Sequence, residues 1–304
     1  MRSYSRRQFI KSSLVSAGAL AAAPALMCGA EAPKTPGAFN GTDIVTLGKT
    51  GIKTTRLAHG TGFNGYNRSS ELTRMGKEAF ERVMHRSLDQ GISFLDMADL
   101  YGSHPFVKDT VKGIKRDKLV LLSKLWPRKE NWVTPSGGAK EELDRFRKEL
   151  NVEMIDICLI HCMTEANWAT TYARVCDELS ELKQKGVIRA AGVSCHDLGA
   201  LKSAASNPWV DVILARINYK GGKDYSMDGS AEEISEVLKL ARKNGKAVIG
   251  MKIFGAGKLV KPEEKDASLK YVFTNDLVDA ITIGFLQTEQ VDDTLQRMSQ
   301  VKKA

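Results

Sequence analysis

Ionisable side chains follow three successive apolar runs of this 304-residue chain. Asp96 and Tyr101 come after the first run, Lys124 after the second, and His161 after the third. A lysine ammonium close to a phenol stabilises the phenolate and so lowers the pKa of the tyrosine. A carboxylate beside the lysine keeps it charged, and an imidazole can hydrogen-bond a substrate oxygen or pass a proton. If the fold brings these groups together, they suit general acid–base catalysis.

The same residues also allow simpler interpretations. Asp96 and Asp99 can cap the next helix, and Tyr101 can be a core aromatic. Lys124 can form an ion pair at a rim, and His161 can be a hydrogen-bonded histidine at a strand end. A hydrolase that uses the two aspartates is a third interpretation, but it leaves Lys124 and Tyr101 without roles. The elements that position these residues must decide.

The predicted elements alternate between strand and helix. Asp43–Leu47 and Ile52–Thr55 flank a glycine-bounded turn and predict a β-hairpin. After the hairpin, eight strand-like runs are each followed by a segment of helical periodicity, the first being Glu71–Gln90. This pattern predicts a (β/α)8 TIM barrel in which all strand ends converge on one mouth.

A doubly wound sheet is the alternative architecture. Its cofactor usually binds a glycine-rich turn after the first strand. Gly60-Thr61-Gly62 follows the first predicted strand, but the third glycine and the later acidic residue of that fingerprint are missing. The sequence therefore favours the barrel.

The N-terminus predicts export. Residues 1–30 carry Arg6-Arg7 before an apolar stretch that is too short to span a bilayer, and they resemble a twin-arginine signal peptide. Residues 31–42 are expected to be a tether and residues 43–304 the barrel. We therefore expect the twin-arginine export machinery as a partner, a periplasmic or otherwise exported location, and no membrane span after cleavage.

Charge and cysteine content exclude other classes. The net charge is +9, of which residues 1–30 supply +4, and the remaining excess forms no basic block of the kind found in nucleic-acid-binding proteins. The cysteines after residue 30 fit no zinc or iron–sulfur spacing, so no metal is expected. Cys162 and Cys195 follow neighbouring predicted strands, so a disulfide and two buried thiols are both open.

Four segments together resemble the aldo-keto reductase family. The resemblance implies a (β/α)8 barrel with the hairpin across its bottom. It also implies a nicotinamide cofactor bound without a Rossmann domain. The segments that carry it are Gly91–Gly102, Ser123-Lys124, Leu159–His161 and Val187–Ser194.

The resemblance also assigns roles to the four candidates. It implies that Tyr101 protonates a carbonyl oxygen as hydride arrives and takes the proton back in alcohol oxidation. Lys124 then lowers the pKa of Tyr101, Asp96 pairs with Lys124, and His161 orients the carbonyl. Asp99 is expected to be structural.

The resemblance places the cofactor on later strand ends, with departures. Ser194 falls on the serine that contacts the carboxamide, but Cys195, Arg216 and Met251 replace an asparagine, a glutamine and a stacking aromatic. The methionine sulfur can still pack on a ring, whereas the arginine adds a charge. The remaining cofactor candidates are Gly60, Thr61, Gly62, Lys252, Phe254, Gly255, Gly257, Gln290, Asp293 and Thr294.

The sequence does not decide whether the cofactor carries a 2′-phosphate. The basic residues that often hold a 2′-phosphate in the family fall on Gly284 and Gln290, and their loss weakens a charge-assisted clamp. Lys252 and Lys258 are candidate replacements. NADP is the family default, and NAD is the alternative.

The expected substrate is a small carbonyl compound or alcohol. The chain ends soon after the last predicted helix, which indicates an open mouth that suits a polar, bulky substrate such as a sugar. The alternative function is a nicotinamide-binding barrel with little turnover, acting as a redox sensor or subunit. The replaced carboxamide contacts support that alternative, and the complete set of four catalytic candidates argues against it.

Overall fold

The computed structural model describes residues 34–128 and 138–303, within which eight parallel strands form a closed barrel. The predicted signal peptide, residues 1–30, lies outside the described residues. Two short antiparallel strands precede the barrel, and the last barrel strand pairs with the first to close it. The strands are β1 Ile44–Thr46, β2 Lys53–Thr55, β3 Leu57–Gly60, β4 Phe94–Asp96, β5 Val120–Leu125, β6 Ile155–Met163, β7 Ile188–Cys195, β8 Val212–Arg216, β9 Ala247–Met251 and β10 Ala280–Gly284.

Helices connect successive barrel strands and cover the barrel wall. Helix Ala231–Lys243 shows why they form: Ser230 and Glu233 make a capping box at its start, and Ile234, Leu238 and Ala241 recur on its buried face. The helices are α1 Glu71–Arg74, α2 Lys77–Asp89, α3 His104–Thr110, α4 Ala139–Leu150, α5 Trp168–Thr171, α6 Ala173–Gln184, α7 Leu198–Ser206, α8 Ala231–Lys243, α9 Pro262–Thr274 and α10 Thr288–Gln300.

The β1–β2 hairpin closes the amino end of the barrel, as the sequence predicts. Leu47 and Ile52 are fully buried and belong to the same cluster as the side chains that fill the barrel interior. The Lys49 amide also donates to the carbonyl of Gly245, directly before β9, at 3.0 Å. The interior is therefore open only towards the carboxyl ends of the strands, where the ionisable candidates lie.

Alternation along each strand separates two cores. Side chains such as Phe94, Leu122 and Leu214 fill the barrel, while their sequence neighbours pack outward against the helices. This alternation decides which residue at a strand end faces the mouth. On β7 it places Ser194 and its neighbour Cys195 on different sides of the wall.

Two features differ from the sequence prediction. The single helix expected over Glu71–Gln90 is two helices, because Gly76 has a φ of 88°, which a regular helix does not contain. Part of the expected tether is packed on the barrel: Ala38 is buried, the Phe39 amide donates to the Val301 carbonyl at 2.9 Å, and the Phe39 ring stacks on Phe273. Within the described residues, no helix has both the length and the apolar character required to cross a bilayer.

Candidate active site

A buried ion pair joins β4 and β5 at the mouth of the barrel. The Lys124 ammonium is 1% exposed and donates to Asp96 Oδ1 and to the Met97 carbonyl oxygen, the latter at 2.7 Å. The other oxygen of Asp96 accepts from Thr282 Oγ1 of β10 at 2.8 Å. Burial lowers the pKa of Lys124, and the Asp96 charge opposes that shift. Partners on three strands thus hold both charged groups in place.

Tyr101 lies beside this pair, on a single 3₁₀ turn that follows β4. Lys124 Nζ is 4.9 Å from the centre of the Tyr101 ring. Another part of the ring packs against Gly62, where a Cβ would overlap it, so only glycine leaves room for the tyrosine. The loop after β3 and the turn after β4 therefore fix the position of the phenol together.

The acidity of Tyr101 corrects a sequence-based expectation. Burial, followed by the charge of Asp96, raises the pKa of Tyr101 well above its usual value, whereas Lys124 was expected to lower it. The physical reason is that Lys124 directs its hydrogen bonds to Asp96 and Met97, and Asp96 compensates its charge. In this geometry Tyr101 is a protonated phenol.

His161 completes the group from the end of β6. Its Nε2 lies 3.4 Å from the Tyr101 hydroxyl, and its ring packs edge-on against Tyr101 and Trp126. Burial, followed by the positive charge of Lys124, lowers the pKa of His161 well below its usual value. The structure therefore brings Asp96, Tyr101, Lys124 and a neutral His161 together at one point.

A cleft of about 430 Å³ extends from this point along the ends of the neighbouring strands to α10. Asp96 and Tyr101 line one end, and apolar side chains and glycines make up much of its wall. Nine of the cofactor residues predicted from the sequence line it. They are Gly60, Gly62, Met251, Lys252, Phe254, Gly257, Gln290, Asp293 and Thr294.

The far end of the cleft contains paired charges. Asp293 accepts from Lys265 at 3.0 Å and from Arg297 at 2.9 Å. The Gln290 side-chain oxygen accepts from the amide of Leu286 at 2.7 Å, so that oxygen is already used to cap the helix. This end thus presents a carboxylate to the cleft, and its two nearest cations are neutralised in part by that carboxylate.

Five predicted cofactor residues do not line the cleft. Cys195 is fully buried in the layer between barrel and helices, because alternation on β7 turns it away from the mouth. The Thr61 hydroxyl is bonded to the Asp96 carbonyl at 2.9 Å, and Gly255 is buried in a 3₁₀ turn. Ser194 and Arg216 face the mouth but are bonded to other side chains.

Ser194 and Arg216 belong to a hydrogen-bonded series at the mouth. Asp228 accepts from Arg216 Nη1 at 3.0 Å, and Arg216 Nη2 lies 2.5 Å from His196 Nδ1. His196 Nε2 in turn lies 3.2 Å from Ser194 Oγ. The His196 ring is 6.3 Å from that of His161, centre to centre, so the series borders the candidate active site.

Three of the residues around the site were not among the sequence-based candidates. The sequence could have indicated Thr282, because it lies two residues after Ala280 and therefore on the same face of β10. It could also have indicated His196, which directly follows Ser194-Cys195 at a strand end. It could not have indicated Asp228, which belongs to the loop between β8 and α8, far from any predicted motif.

Two remaining sequence hypotheses can be placed. Cys162 and Cys195 are both free thiols: Cys162 is half-buried at the mouth, whereas Cys195 points into the wall. Asp99 accepts from Arg68 at 3.1 Å and from Arg145 at 2.8 Å, which matches its expected structural role. Arg145 also bonds Glu142, within α4, so Asp99 ties the turn of Tyr101 to that helix.

Two curated proteins are similar to this chain. It is 27% identical over 224 residues to the NADH-specific methylglyoxal reductase of Escherichia coli K12, covering 67% of this chain and 63% of that protein. It is 27% identical over 194 residues to the glyoxal reductase of Bacillus subtilis 168, covering 57% of this chain and 67% of that protein. The match thus spans about two thirds of the length of each relative.

Solved structures share the fold. A putative aldo-keto reductase from Pseudomonas aeruginosa superposes with a TM-score of 0.68 at 18% identity, covering 88% of this chain and 98% of that one. An aldo-keto reductase from Bacillus halodurans, in its holo form, gives 0.67 at 20% identity, with 86% and 92% covered. A family model described as the aldo/keto reductase family matches residues 56–303, most of the sequence. The chain therefore belongs to the aldo/keto reductase family.

Proposed function

We propose that this protein is an oxidoreductase that interconverts a carbonyl group and an alcohol with a nicotinamide cofactor. The observation that carries the proposal is the Tyr101 hydroxyl, which lies 3.4 Å from His161 Nε2 at the end of a long cleft. The buried Lys124–Asp96 pair supports the phenol from beneath. An acid and a hydrogen-bonding imidazole can thus address the same substrate oxygen.

His161 and Tyr101 have different roles at the substrate oxygen. The neutral His161 orients the carbonyl through Nε2, and Tyr101 donates its phenolic proton to the oxygen as negative charge develops there. In alcohol oxidation the phenolate takes that proton back. The ion pair keeps the phenol in position, and Asp96 compensates the buried ammonium. The bound nicotinamide supplies or accepts the hydride.

The cleft fits an extended dinucleotide. It extends from Tyr101 past Met251 and Phe254 to Gln290, and Gly257 and Gly284 line it as well. At Gly284 a Cβ would lie 3.2 Å from the Cβ of Phe63, so a larger residue would narrow the cleft. Met251 and Lys252 are placed to contact the end next to Tyr101.

We propose NAD(H) in place of the NADP that the resemblance gives as the default. Asp293 lines the far end of the cleft and would repel a 2′-phosphate. Lys265 also lines the cleft, but it and Arg297 both pair with Asp293. Lys258, a candidate for the phosphate, does not line the cleft. The name of the E. coli relative, an NADH-specific reductase, agrees with this preference.

The test is turnover with small aldehydes. The purified full-length protein, with NADH and either methylglyoxal or glyoxal, should oxidise NADH in step with loss of the aldehyde. Fluorescence titration should give a Kd for NADH at least about tenfold below that for NADPH, since a charge-assisted contact is worth that much. If both cofactors bind but no aldehyde or alcohol is turned over, the binding-protein alternative replaces the enzyme. Tighter binding of NADPH would contradict the NAD assignment alone.

We also propose that residues 1–30 direct twin-arginine export. The pair Arg6-Arg7 before a short apolar run supports this. Fusion of residues 1–42 to a folded fluorescent protein should deliver the reporter outside the cytoplasm. Replacing both arginines with lysine should retain it inside, and export that survives this change would contradict the proposal.

A further inference from the structure

Two arginines converge on the residue that follows His161. Burial raises the pKa of the half-buried Cys162 thiol, and the positive charges of Arg128 and Arg216 oppose that shift. Arg128 also stacks over Trp126, with its Cζ 4.6 Å from the ring centre, and Trp126 packs against His161. The two guanidinium groups therefore border the place where a substrate carbonyl would meet Tyr101.

A third cation, Lys252, lines the same cleft as Asp96 and Tyr101. Lys252 is half-buried and has a φ of 60°, which non-glycine residues rarely adopt. Burial, followed by the positive charges of Arg216 and Lys124, lowers the pKa of Lys252. The backbone thus adopts a strained conformation to place an ammonium at the mouth. We call Arg128, Arg216 and Lys252 the mouth cations.

Carboxylates compensate the mouth cations only in part. Among the residues that the structure describes, neither Arg128 nor Lys252 has a carboxylate within 4.0 Å. Arg216 pairs with Asp228. Burial raises the pKa of Asp228 to about 6, which means that it destabilises the ionised carboxylate. Asp96 is committed to Lys124. Asp197, whose charge acts on Asp228, caps α7 by accepting from the Ala200 amide at 2.9 Å. Within residues 34–128 and 138–303, the mouth therefore has an excess of positive charge beside the reacting groups.

The three mouth cations are half-buried, and an excess of partly desolvated cations is unfavourable unless an anion compensates it. The guanidinium group is the side chain best suited to bind carboxylate or phosphate oxygens, because its planar fork donates two hydrogen bonds. We propose that the substrate is a carbonyl compound that carries an anionic group, which Arg128 and Arg216 bind while Tyr101 and His161 hold the carbonyl. This inference rests on the proposed reductase function and names its substrate class.

The positions of the arginines separate this role from cofactor binding. The cleft that fits the dinucleotide is lined by Lys252 but by neither Arg128 nor Arg216. Arg128 instead stacks on Trp126, and Arg216 bonds His196. The rings of Trp126 and His196 both neighbour His161. We therefore assign the two arginines to the substrate and Lys252 to the boundary between substrate and cofactor.

The experiment compares aldehydes that differ only in an anionic group. One pair is butanal and succinic semialdehyde, in which a carboxylate replaces the terminal methyl group of butanal. The other is glyceraldehyde and glyceraldehyde 3-phosphate. With the full-length enzyme and NADH, kcat/KM should be about 10- to 100-fold higher for the anionic member of at least one pair, and that pair identifies the anion. The preference should shrink as salt is raised, because ions screen the attraction.

Variants locate the preference. Arg128→Gln, and the double variant Arg216→Gln with Asp228→Asn, should each lower the anionic-to-neutral ratio of kcat/KM about tenfold. The double variant leaves no buried carboxylate unpaired. The matched control is Arg189→Gln at the opposite end of the barrel, where Asp156 keeps its second partner Arg116. It should leave the ratio unchanged.

The outcomes separate the two proposals. Turnover of the neutral aldehydes with no anionic preference would overturn the substrate class and leave the reductase function standing. A preference that survives both arginine variants, or variants that weaken NADH binding without changing the ratio, would also overturn it. If no aldehyde of either pair is reduced and methylglyoxal is inert as well, the reductase function itself fails.

Discussion

The two ends of the barrel use charge in different ways. At the amino end, the carboxylates of Asp156, Asp211 and Asp279 each accept from the backbone amide of a neighbouring strand at 2.8 to 3.0 Å. Each also pairs with a lysine or arginine. The pairs are Asp156 with Arg116 and Arg189, Asp211 with Lys183, and Asp279 with Arg242. The carboxylates, amides and cations therefore satisfy one another's hydrogen bonds and charges, and they link neighbouring strands.

The carboxyl end lacks this balance. Arg128 and Lys252 have no carboxylate partner among the described residues, and the Nδ1 of the buried His161 has no hydrogen-bond partner there either. Tyr101 and His161 both have pKa values shifted away from their usual ranges. The amino end therefore contributes stability, and the carboxyl end keeps polar groups free for a ligand.

The largest effect should come from breaking the ion pair at the carboxyl end. Lys124→Met leaves Asp96 buried without its partner, which should lower the free energy of unfolding by about 3–5 kcal/mol. It also removes the support beneath Tyr101, so kcat/KM should fall about 100-fold or more. Chemical denaturation and steady-state kinetics on the same preparation check both effects. A stable and active variant would show that the pair is not part of the site.

A similar change at the amino end should affect stability alone. Asp156 is 2% exposed and holds two arginines and the Leu121 amide. Asp156→Asn should lower the free energy of unfolding by about 1–3 kcal/mol, because these donors lose a charged acceptor. The kcat/KM of the folded protein should not change. A loss of kcat/KM would mean that the two ends are coupled.

Near neutral pH the barrel wall should give a smaller effect on stability, which grows as the pH falls. Burial lowers the pKa of His59 to about 3, and its Nδ1 bonds Ser87 Oγ at 2.7 Å. Between about pH 6.5 and 3 the unfolded chain binds a proton that the folded chain does not, so stability falls as pH falls, by up to about 1.4 kcal/mol per pH unit. His59→Gln should flatten this slope. His85→Gln, at an exposed position of α2, should leave it steep.

The smallest expected effect is the alkaline response of carbonyl reduction. Because the pKa of Tyr101 is raised, the phenol stays protonated, and kcat/KM for reduction should be flat from pH 7 to about pH 9. Alcohol oxidation needs the phenolate, so its rate should rise with pH over the same range. A decline in reduction above about pH 8 would instead support the lowered pKa that the sequence predicts.

The sequence predicts the architecture and the four central residues because both depend on local pattern. Apolar runs that end in Asp96, Lys124 and His161 predict parallel strands whose ends converge, and the barrel then brings these side chains together. The direction of Cys195 was also predictable, since adjacent residues of a strand face opposite sides. Ser194 and Cys195, both predicted to contact the cofactor, therefore cannot both face the mouth.

Other features depend on distances that a sequence does not contain. The pKa of Tyr101 is set by where the Lys124 ammonium lies and by how Asp96 compensates it, and neither follows from spacing. The series from Asp228 through Arg216 to His196 joins a loop to two strands, so no local pattern predicts it. The charge excess at the mouth becomes visible only when the partners of each cation are known.

The most direct measurement of the central claim is the turnover of Tyr101→Phe. This substitution removes one hydroxyl and keeps the ring between Gly62 and Lys124, so NADH should still bind with a similar Kd. Loss of the acid should lower kcat for aldehyde reduction about 10²- to 10⁴-fold. If the folded variant binds NADH and reduces the aldehyde at the rate of the unaltered protein, Tyr101 is not the proton donor, and the proposed mechanism is wrong.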